Sequence, residues 1–331
     1  MRENEDVKFL LHGRPGVGLM LAVVLTSTLC PLGAKANVET SPTFASELQK
    51  VRSDPAPPSI TRDTHYVISN EDSHELFRPS LKELGGIHIG VGAEQNYLLA
   101  AWAKSDALVL LDFDGKVVDL HEVYGAIFRN ADTPEQFLDL WSADATKRVV
   151  KLIDSSLISE GKQRRARHAH KWFRKKVHRH LVALRDRYAD KGVACFLTDA
   201  GQYKHLARLW RDGRVLAVRG DLTAKRAMAD IAALAKRHSV IVRSLYLSNA
   251  EFYFRFNRDR YTPNILGLPF DERSIVLRTY PYEGFSYRYI EQTGLDFQSC
   301  LRGERFRRVK SMLELSKPTD KKDHFTLGSC D

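Results

Sequence analysis

The sequence predicts an α/β protein in which helices cover both faces of a mostly parallel β-sheet. Short apolar runs, such as residues 87–91 and 107–113, alternate with longer segments that repeat apolar residues at helical spacing. The run at 107–113 is apolar at nearly every position, as is typical of a parallel strand covered on both faces. With 331 residues, 43% of them hydrophobic, the chain can form a large core around such a sheet.

Residues 85–114 predict strand, turn, helix and strand around a ligand pocket. Gly90 and Gly92 end the first strand, and a helix at 94–103 follows directly. Because glycine lacks a β-carbon, the backbone of this turn can approach a ligand closely. Asp112 ends the second strand, where its carboxylate can accept hydrogen bonds from the two hydroxyls of a ribose. The plainer alternative is that the glycines only make a tight strand-to-helix turn.

The residues after Gly92 argue against a cofactor that carries phosphate. The chain continues with Ala93, Glu94 and Gln95, so the third glycine of the dinucleotide-binding pattern is missing. Glu94 would crowd and repel a pyrophosphate. A ligand without phosphate, such as S-adenosylmethionine, meets no such repulsion.

This arrangement resembles the first motif and second-strand acid of class I, Rossmann-like, S-adenosylmethionine-dependent methyltransferases over about residues 85–280. More narrowly, GVGAEQN at 90–96 and YLSNAEFYF at 246–254 resemble motifs of uncharacterised bacterial methyltransferase-like proteins. The resemblance implies S-adenosylmethionine as the cofactor. It also implies a cofactor-binding set that consists of Gly90, Gly92, Glu94, Gln95, Asn96 and Asp112.

Asn249, Glu251 and Tyr253 are the candidate catalytic residues. In methyltransferases that act on amide or ring nitrogens, an Asn- or Asp-led motif with a nearby aromatic residue follows a central strand. The resemblance implies that the Asn249 carbonyl accepts a hydrogen bond from the acceptor nitrogen while Tyr253 stacks on it. This chain lacks the usual Asn-Pro-Pro, and Glu251 instead offers a general base or a site for a cationic substrate. Alternatively, Asn249 caps the next helix and Tyr253 packs under it.

The remainder of the sheet is predicted from alternating segments after Gly192. The predicted strands are 193–197, 215–218 and 240–247, and the predicted helices are 199–210 and 223–238. This order implies parallel strands with right-handed crossovers, whose carboxyl ends share one crevice. Asp221 ends the second of these strands, either as part of the pocket or as a cap for the following helix. A closing antiparallel hairpin is predicted at 274–280 and 287–291.

A helical insertion is predicted at 115–191, between two parts of the sheet. In its first helix, His121 and Tyr124 share one face, where they either look into the pocket or pack with their polar atoms bonded. A second feature is the basic amphipathic helix at 161–191, with twelve Lys or Arg residues against two Asp. This helix either presents a solvated face or contacts phosphates of a nucleic acid or an anionic membrane surface. No metal-ligand spacing is present, and no metal is predicted.

The N-terminus has the pattern of a signal peptide at 1–36. Lys8 and Arg14 precede an apolar run at 17–29, and Ala34-Lys35-Ala36 has the small-x-small pattern of a cleavage site. The apolar run is too short to favour a permanent membrane anchor. The chain is therefore predicted to be exported, either periplasmic or secreted.

The predicted α/β domain spans 65–316. Residues 37–64 contain four prolines and predict a Pro/Ser-rich linker, and 317–331 predict a loose polar tail after a basic helix at 294–315. A formal net charge of +10 favours acidic surroundings, including an anionic partner.

Two functions from different classes follow. The first is an S-adenosylmethionine-dependent methyltransferase that acts on an unknown acceptor. The second is a secreted, non-catalytic Rossmann-like binding protein that uses its basic helix to engage an anionic partner, since fold alone does not fix function.

Overall fold

The computed structural model describes residues 42–60, 63–282, 286–303, 306–314, 318–320 and 325–329. These residues belong to one compact unit, 38–331. The predicted signal peptide at 1–36 lies outside the described residues. Among the described helices, none combines the length and the apolar character needed to cross a bilayer.

A central sheet of eight described strands confirms the predicted α/β fold class. The strands are β1 Ile87–Val91, β2 Ala107–Asp112, β3 Val215–Arg219, β4 Val242–Tyr246, β5 Ile275–Tyr282, β6 Ser286–Thr293, β7 Pro318–Asp320 and β8 Phe325–Leu327. Their order in the sheet is β3-β2-β1-β4-β5-β6-β8-β7. Strands β1 to β5 are parallel to one another, and β5 with β6 forms the predicted antiparallel hairpin. The direction of strand order reverses between β1 and β4, which makes the sheet compatible with a Rossmann-like fold.

Helices lie on both faces of the sheet. The described α-helices are α1 Pro42–Leu48, α2 Arg78–Leu81, α3 Gln95–Ala103, α4 Gly115–Asn130, α5 Pro134–Leu140, α6 Thr146–Ser156, α7 Glu160–Asp190, α8 Ala200–Arg211, α9 Ala227–Arg237, α10 Tyr261–Leu266, α11 Gly294–Arg302 and α12 Val309–Leu313. One apolar core joins the sheet to α2–α8, and a second joins it to α1 and α9–α12. Short 3₁₀ helices are formed by His74–Phe77 and Ala250–Tyr253.

The strand predicted at 193–197 is wrong, because this stretch forms turns between α7 and α8. Its centre is buried, and the backbone N–H of Cys195 donates to Oγ1 of Thr198 at 3.0 Å. A short apolar run cannot by itself distinguish a strand from another buried segment. The stretch without strands after β2 therefore extends to the end of α8 rather than to residue 191.

The described part of the predicted linker, residues 42–60, lies against the domain. Phe44 and Leu48 of α1 are buried in the core that contains α9. The buried carboxylate of Asp54 accepts hydrogen bonds at 3.1 Å from the backbone N–H groups of Asp221 and Arg226, just before α9. Proline content indicated a tether, but the segment is held by these residues, by hydrogen bonds from Gln49 to the backbone of Gly213 and Val215, and by the ion pair of Arg52 with Asp230.

The C-terminal part also differs from the prediction. The single helix expected at 294–315 is two helices, α11 and α12. The described residues of the polar tail form β7 and β8, and β8 pairs with the outer edge of β6. An unpaired strand edge offers backbone hydrogen bonds to any nearby extended segment, and the polarity of the tail does not reveal this.

Candidate functional site

A cavity of about 720 Å³ lies at the carboxyl ends of β1 to β4. The loop after each of these four strands contributes lining residues. Residues from 64–71 and from the β5–β6 hairpin line the remaining side. This is the crevice where open α/β sheets bind ligands, beside the point at which strand order reverses.

Gly92 and Gln95 line the cavity, whereas Gly90 and Asn96 do not. Gly92 has φ +96°, a left-handed conformation that favours glycine, and its carbonyl accepts a hydrogen bond from Nε2 of His121 at 2.9 Å. Gly90 lies inside β1, where a β-carbon would come within 1.7 Å of Oδ1 of Asn96. Gly90 therefore makes room for the buried side-chain amide of Asn96. Of the two glycines predicted to face a ligand, only Gly92 borders the cavity.

His121 and Tyr124 are both buried in α4, and neither lines the cavity. Burial lowers the pKa of His121 to about 4, so its ring is neutral at neutral pH. One ring nitrogen bonds to the Gly92 carbonyl, and the other lies 3.0 Å from the hydroxyl of Tyr97. His121 thus stabilises the glycine turn from behind.

Asp112 reaches the cavity from the end of β2, as predicted. Its Oδ1 accepts a hydrogen bond of 2.8 Å from the backbone N–H of Asp114. Burial raises the pKa of Asp112 to about 7, and the nearby charge of Asp114 acts in the same direction against the backbone hydrogen bonds. At neutral pH the carboxylate is therefore ionised in only part of the molecules, and ligand hydroxyls that donate to it would favour the ionised form.

Glu94 does not line the cavity, although it belongs to the predicted cofactor-binding set. It is buried, and its carboxylate lies 2.6 Å from Nε2 of His180 in α7 and 3.2 Å from the backbone N–H of Ser69. Burial alone would raise the pKa of Glu94, but the charge and hydrogen bond of His180 outweigh it and lower the pKa. Glu94 therefore connects the β1 turn to α7 and to the segment over the cavity.

Asn249 and Tyr253 line the cavity after β4, but Glu251 does not. The Glu251 side chain is buried beneath the 3₁₀ helix, where it accepts hydrogen bonds from the hydroxyl of Tyr261 at 2.5 Å and from Nε of Arg278 at 2.6 Å. Asn249 is the N-cap residue of the 3₁₀ helix, but its side chain makes no capping hydrogen bond. The structure brings two of the three candidate catalytic residues together and puts the third into an internal ion pair.

Glu71 lines the cavity. In the sequence it belongs to 69–72, which predicts a helix cap, or, as the alternative, a lid at 70–73 that folds over the ligand. Its buried carboxylate accepts hydrogen bonds from the hydroxyls of Ser248 at 2.6 Å, Thr279 at 2.5 Å and Tyr246, and lies 2.9 Å from Nε2 of His74. Burial alone would raise the pKa of Glu71, but these donors, led by His74, lower it. The sequence around it resembles a helix start, and its partners other than His74 are distant along the chain, so no local pattern shows that Glu71 connects them.

The segment at 64–71 closes over the cavity through Glu71 and its neighbour Asn70. Nδ2 of Asn70 donates to the hydroxyl of Tyr287 in β6 at 2.6 Å, which connects the segment to the far side of the opening. The backbone N–H groups of Asp72 and Ser73 donate to the hydroxyl of Tyr289 at 2.9 Å and 2.8 Å. In this position the segment can enclose a ligand beneath it.

The cavity has an acidic lining, although two of its carboxylates lie against histidines behind it: Asp114 is 2.7 Å from Nδ1 of His65, and Glu71 is 2.9 Å from Nε2 of His74. Four carboxylate residues line it, namely Glu71, Asp112, Asp114 and Asp221. Among the described lining residues there is no Lys, Arg or His. Asp221 also accepts hydrogen bonds from the backbone N–H and hydroxyl of Thr223, at 2.7 Å and 2.8 Å. The following helix, α9, begins only at Ala227 with Arg226 as its N-cap residue, so Asp221 lines the cavity but does not cap that helix. No group of three or more His, Cys, Asp or Glu within the described ranges has an arrangement that could hold a metal ion.

Fold and cavity together define an α/β protein whose sheet is compatible with a Rossmann-like fold and which has an acid-lined pocket where its strand order reverses. The chain belongs to the family described as Domain of unknown function (DUF7790), which matches residues 66–328. That span contains the whole sheet and nearly all of the cavity lining. Comparison with curated proteins gives no match.

Proposed function

We propose that the cavity binds S-adenosylmethionine and that the protein transfers its methyl group to an acceptor held beside Asn249 and Tyr253. The observation that carries the proposal is the charge of the cavity, which has four acidic residues and no basic residue among its described lining. Because opposite charges attract strongly in a partly desolvated site, such a cavity favours a cation and repels phosphate. S-adenosylmethionine has a sulfonium, an ammonium and one carboxylate group, so it is a net cation, and it has no phosphate.

The positions of Gly92 and Asp112 support a nucleoside as part of the ligand. Both line the cavity at the ends of neighbouring parallel strands, β1 and β2. Gly92 leaves the backbone open to close approach, and Asp112 offers a carboxylate to the ribose hydroxyls. Because hydroxyls donate best to an ionised carboxylate, ligand binding is expected to strengthen as Asp112 loses its proton.

The residues after β4 support an acceptor site next to the nucleoside. Asn249 can accept a hydrogen bond from an acceptor nitrogen through its side-chain carbonyl, and the half-exposed ring of Tyr253 can stack on a planar group. Transfer of a methyl group from a sulfonium needs mainly alignment, because the methyl is already activated. The bond from sulfur to the methyl carbon breaks as the bond to the acceptor nitrogen forms. The sulfonium becomes a neutral thioether, and the positive charge passes to the methylated acceptor, which can lose its proton to solvent.

One observation favours the alternative of a secreted, non-catalytic binding protein. Glu251, the candidate general base, is held in a buried pair with Arg278 and does not line the cavity. The predicted export would also separate the protein from a cytoplasmic metabolite. In this alternative the cavity holds a cationic small molecule without chemistry.

Calorimetric titration of the full-length protein tests the proposal. S-adenosylmethionine should bind, whereas ATP and NAD should not. The neutral product S-adenosylhomocysteine should bind more weakly than S-adenosylmethionine if cavity charge dominates. Binding should be tighter at about pH 8 than at about pH 6, since the pKa of Asp112 is about 7.

Two matched variants locate the binding. Asp112→Asn should weaken binding about 100-fold, since hydrogen bonds to a charged group contribute about 1.5–3 kcal/mol each. Asp106→Asn is the control, because Asp106 precedes the same strand at its opposite end and does not line the cavity. Tight binding of ATP with no response to S-adenosylmethionine would reject the proposal, and binding without product formation across an acceptor panel would favour the alternative.

A further inference from the structure

The outer face of α7 is a second surface with a distinct chemical character. Between residues 164 and 179 its exposed residues are Arg164, Arg165, His168, Lys171, Trp172, Lys175, Lys176 and Arg179. At 3.6 residues per turn these positions fall on one side of the helix, and they extend over about 22 Å along its axis. The exposed acids Asp186 and Asp190 follow nearer the C-terminal end of the helix. The opposite side, which includes Val177, Leu181 and Leu184, is buried in the core beside α4.

Five cations on this face lack an acidic partner within the described part of the chain. They are Arg164, Lys171, Lys175, Lys176 and Arg179. By contrast, Arg165 on the same face is bonded to Asp119 at 3.0 Å, and the neighbouring Lys162 is bonded to Glu122 at 2.7 Å. The net positive field of α7 is therefore concentrated on the side that faces away from the domain.

Two large apolar side chains accompany these cations. Trp172, in the middle of the basic face, is 72% exposed, and Ile158, just before the helix, is fully exposed. The other three tryptophans of the chain, Trp102, Trp141 and Trp210, are all buried. Single exposed apolar residues are normal on a protein surface, but a tryptophan in the middle of a row of unpaired cations is typical of a side chain at the interface between membrane and water.

We infer that this face docks onto an anionic lipid surface. The row of cations fits a plane of negative headgroups, and Trp172 is suited to the depth of the headgroups. Ile158 favours lipid over nucleic acid, because an aliphatic side chain neither stacks on bases nor bonds to phosphate but gains free energy in acyl chains. The apolar side of α7 is already buried in the protein, so the contact is a peripheral docking in which the helix stays on the domain.

Vesicle co-sedimentation with the full-length protein tests this inference independently of the cavity. The protein should bind vesicles of phosphatidylcholine mixed with phosphatidylglycerol, and should not bind phosphatidylcholine alone. The triple variant Lys171→Gln/Lys175→Gln/Lys176→Gln should weaken binding on the order of 100-fold, since each removed charge near an anionic surface weakens it about fivefold. Lys225→Gln/Lys236→Gln/Lys310→Gln removes the same charge from exposed positions on elements that pack on the other face of the sheet, and should bind like the wild type.

Tryptophan fluorescence gives a second readout, because Trp172 is the single exposed tryptophan of the four. Addition of anionic vesicles should shift the emission to shorter wavelength in the wild type, and Trp172→Phe should abolish the shift while retaining most of the binding. Ile158→Ser should reduce binding several-fold. The inference is overturned if both triple variants bind vesicles equally. It is also overturned if the protein ignores vesicles and instead binds a labelled single-stranded oligonucleotide through the same lysines.

Discussion

The cavity and the outer face of α7 carry opposite charge in a chain whose formal net charge is +10. The cavity is lined by acids such as Glu71 and Asp112, whereas the helix face presents unpaired cations such as Lys171 and Lys175. Three of the cavity acids, Glu71, Asp112 and Asp114, are buried, so the low dielectric around them gives each charge a large effect. The helix cations are solvated and act as a collective field. The net charge of the chain therefore describes which partners its surface attracts. The ligand preference of the cavity depends instead on the residues that line it.

The two regions also differ in how strongly the fold depends on them. The acids in and beneath the cavity are tied to several elements at once, as Glu71 is to β4, β5 and the segment over the opening. The unpaired lysines on α7 contact solvent and no acidic partner within the described residues. Substitutions in or beneath the cavity should therefore change the free energy of unfolding far more than substitutions on the outer face of α7.

The largest effect is expected beneath the cavity, at the pair of Glu251 and Arg278. Arg278→Met should lower the free energy of unfolding by about 3–5 kcal/mol, because it leaves Glu251 buried without its cation. The double variant Glu251→Gln/Arg278→Met should regain more than half of this loss. Urea unfolding monitored by circular dichroism measures both values. A loss below about 1 kcal/mol in the single variant would mean that Glu251 reaches solvent or ligand after all.

An effect of opposite sign is expected at Asp112. Its pKa is about 7 in the folded protein instead of 3.8, so the folded state binds the proton more tightly, and stability falls as pH rises between about 4 and 7. Asp112→Asn removes this loss, and should raise the free energy of unfolding by about 2 kcal/mol at pH 8 but hardly at pH 4. Unfolding curves at several pH values test this. An equal stability difference at every pH would show that Asp112 does not titrate in this range.

The sequence predicted most strands of the sheet and one wall of the cavity. Periodicity identified β1 to β6, and the position of Asp112 at a strand end identified one wall of the cavity. Periodicity failed at 193–197, where a buried turn has the same apolar composition as a strand. Periodicity identifies local helices and strands, whereas tertiary contacts decide whether a short apolar run becomes a strand or another buried segment.

The candidate site was only partly predictable for the same reason. Gly90 and Gly92 are two positions apart, yet one makes room for Asn96 and the other borders the cavity. Glu251 follows a strand end like Asn249, but its side chain points at Arg278 in the neighbouring strand β5. Sequence predicts which residues reach the carboxyl edge of the sheet, whereas the direction of each side chain depends on partners that are distant along the chain.

The smallest effect on stability is expected on α7. Lys171→Gln/Lys175→Gln/Lys176→Gln should change the free energy of unfolding by no more than about 0.5 kcal/mol, because solvated charges contribute little and no described acid loses a partner. The sign should be stabilising at low salt, since Lys171 and Lys175 lie one turn apart and repel each other. This gain should disappear at high salt, where screening removes the repulsion. A loss above about 1 kcal/mol would instead mean that the lysines support the fold, and the basic face would then no longer be free for a partner.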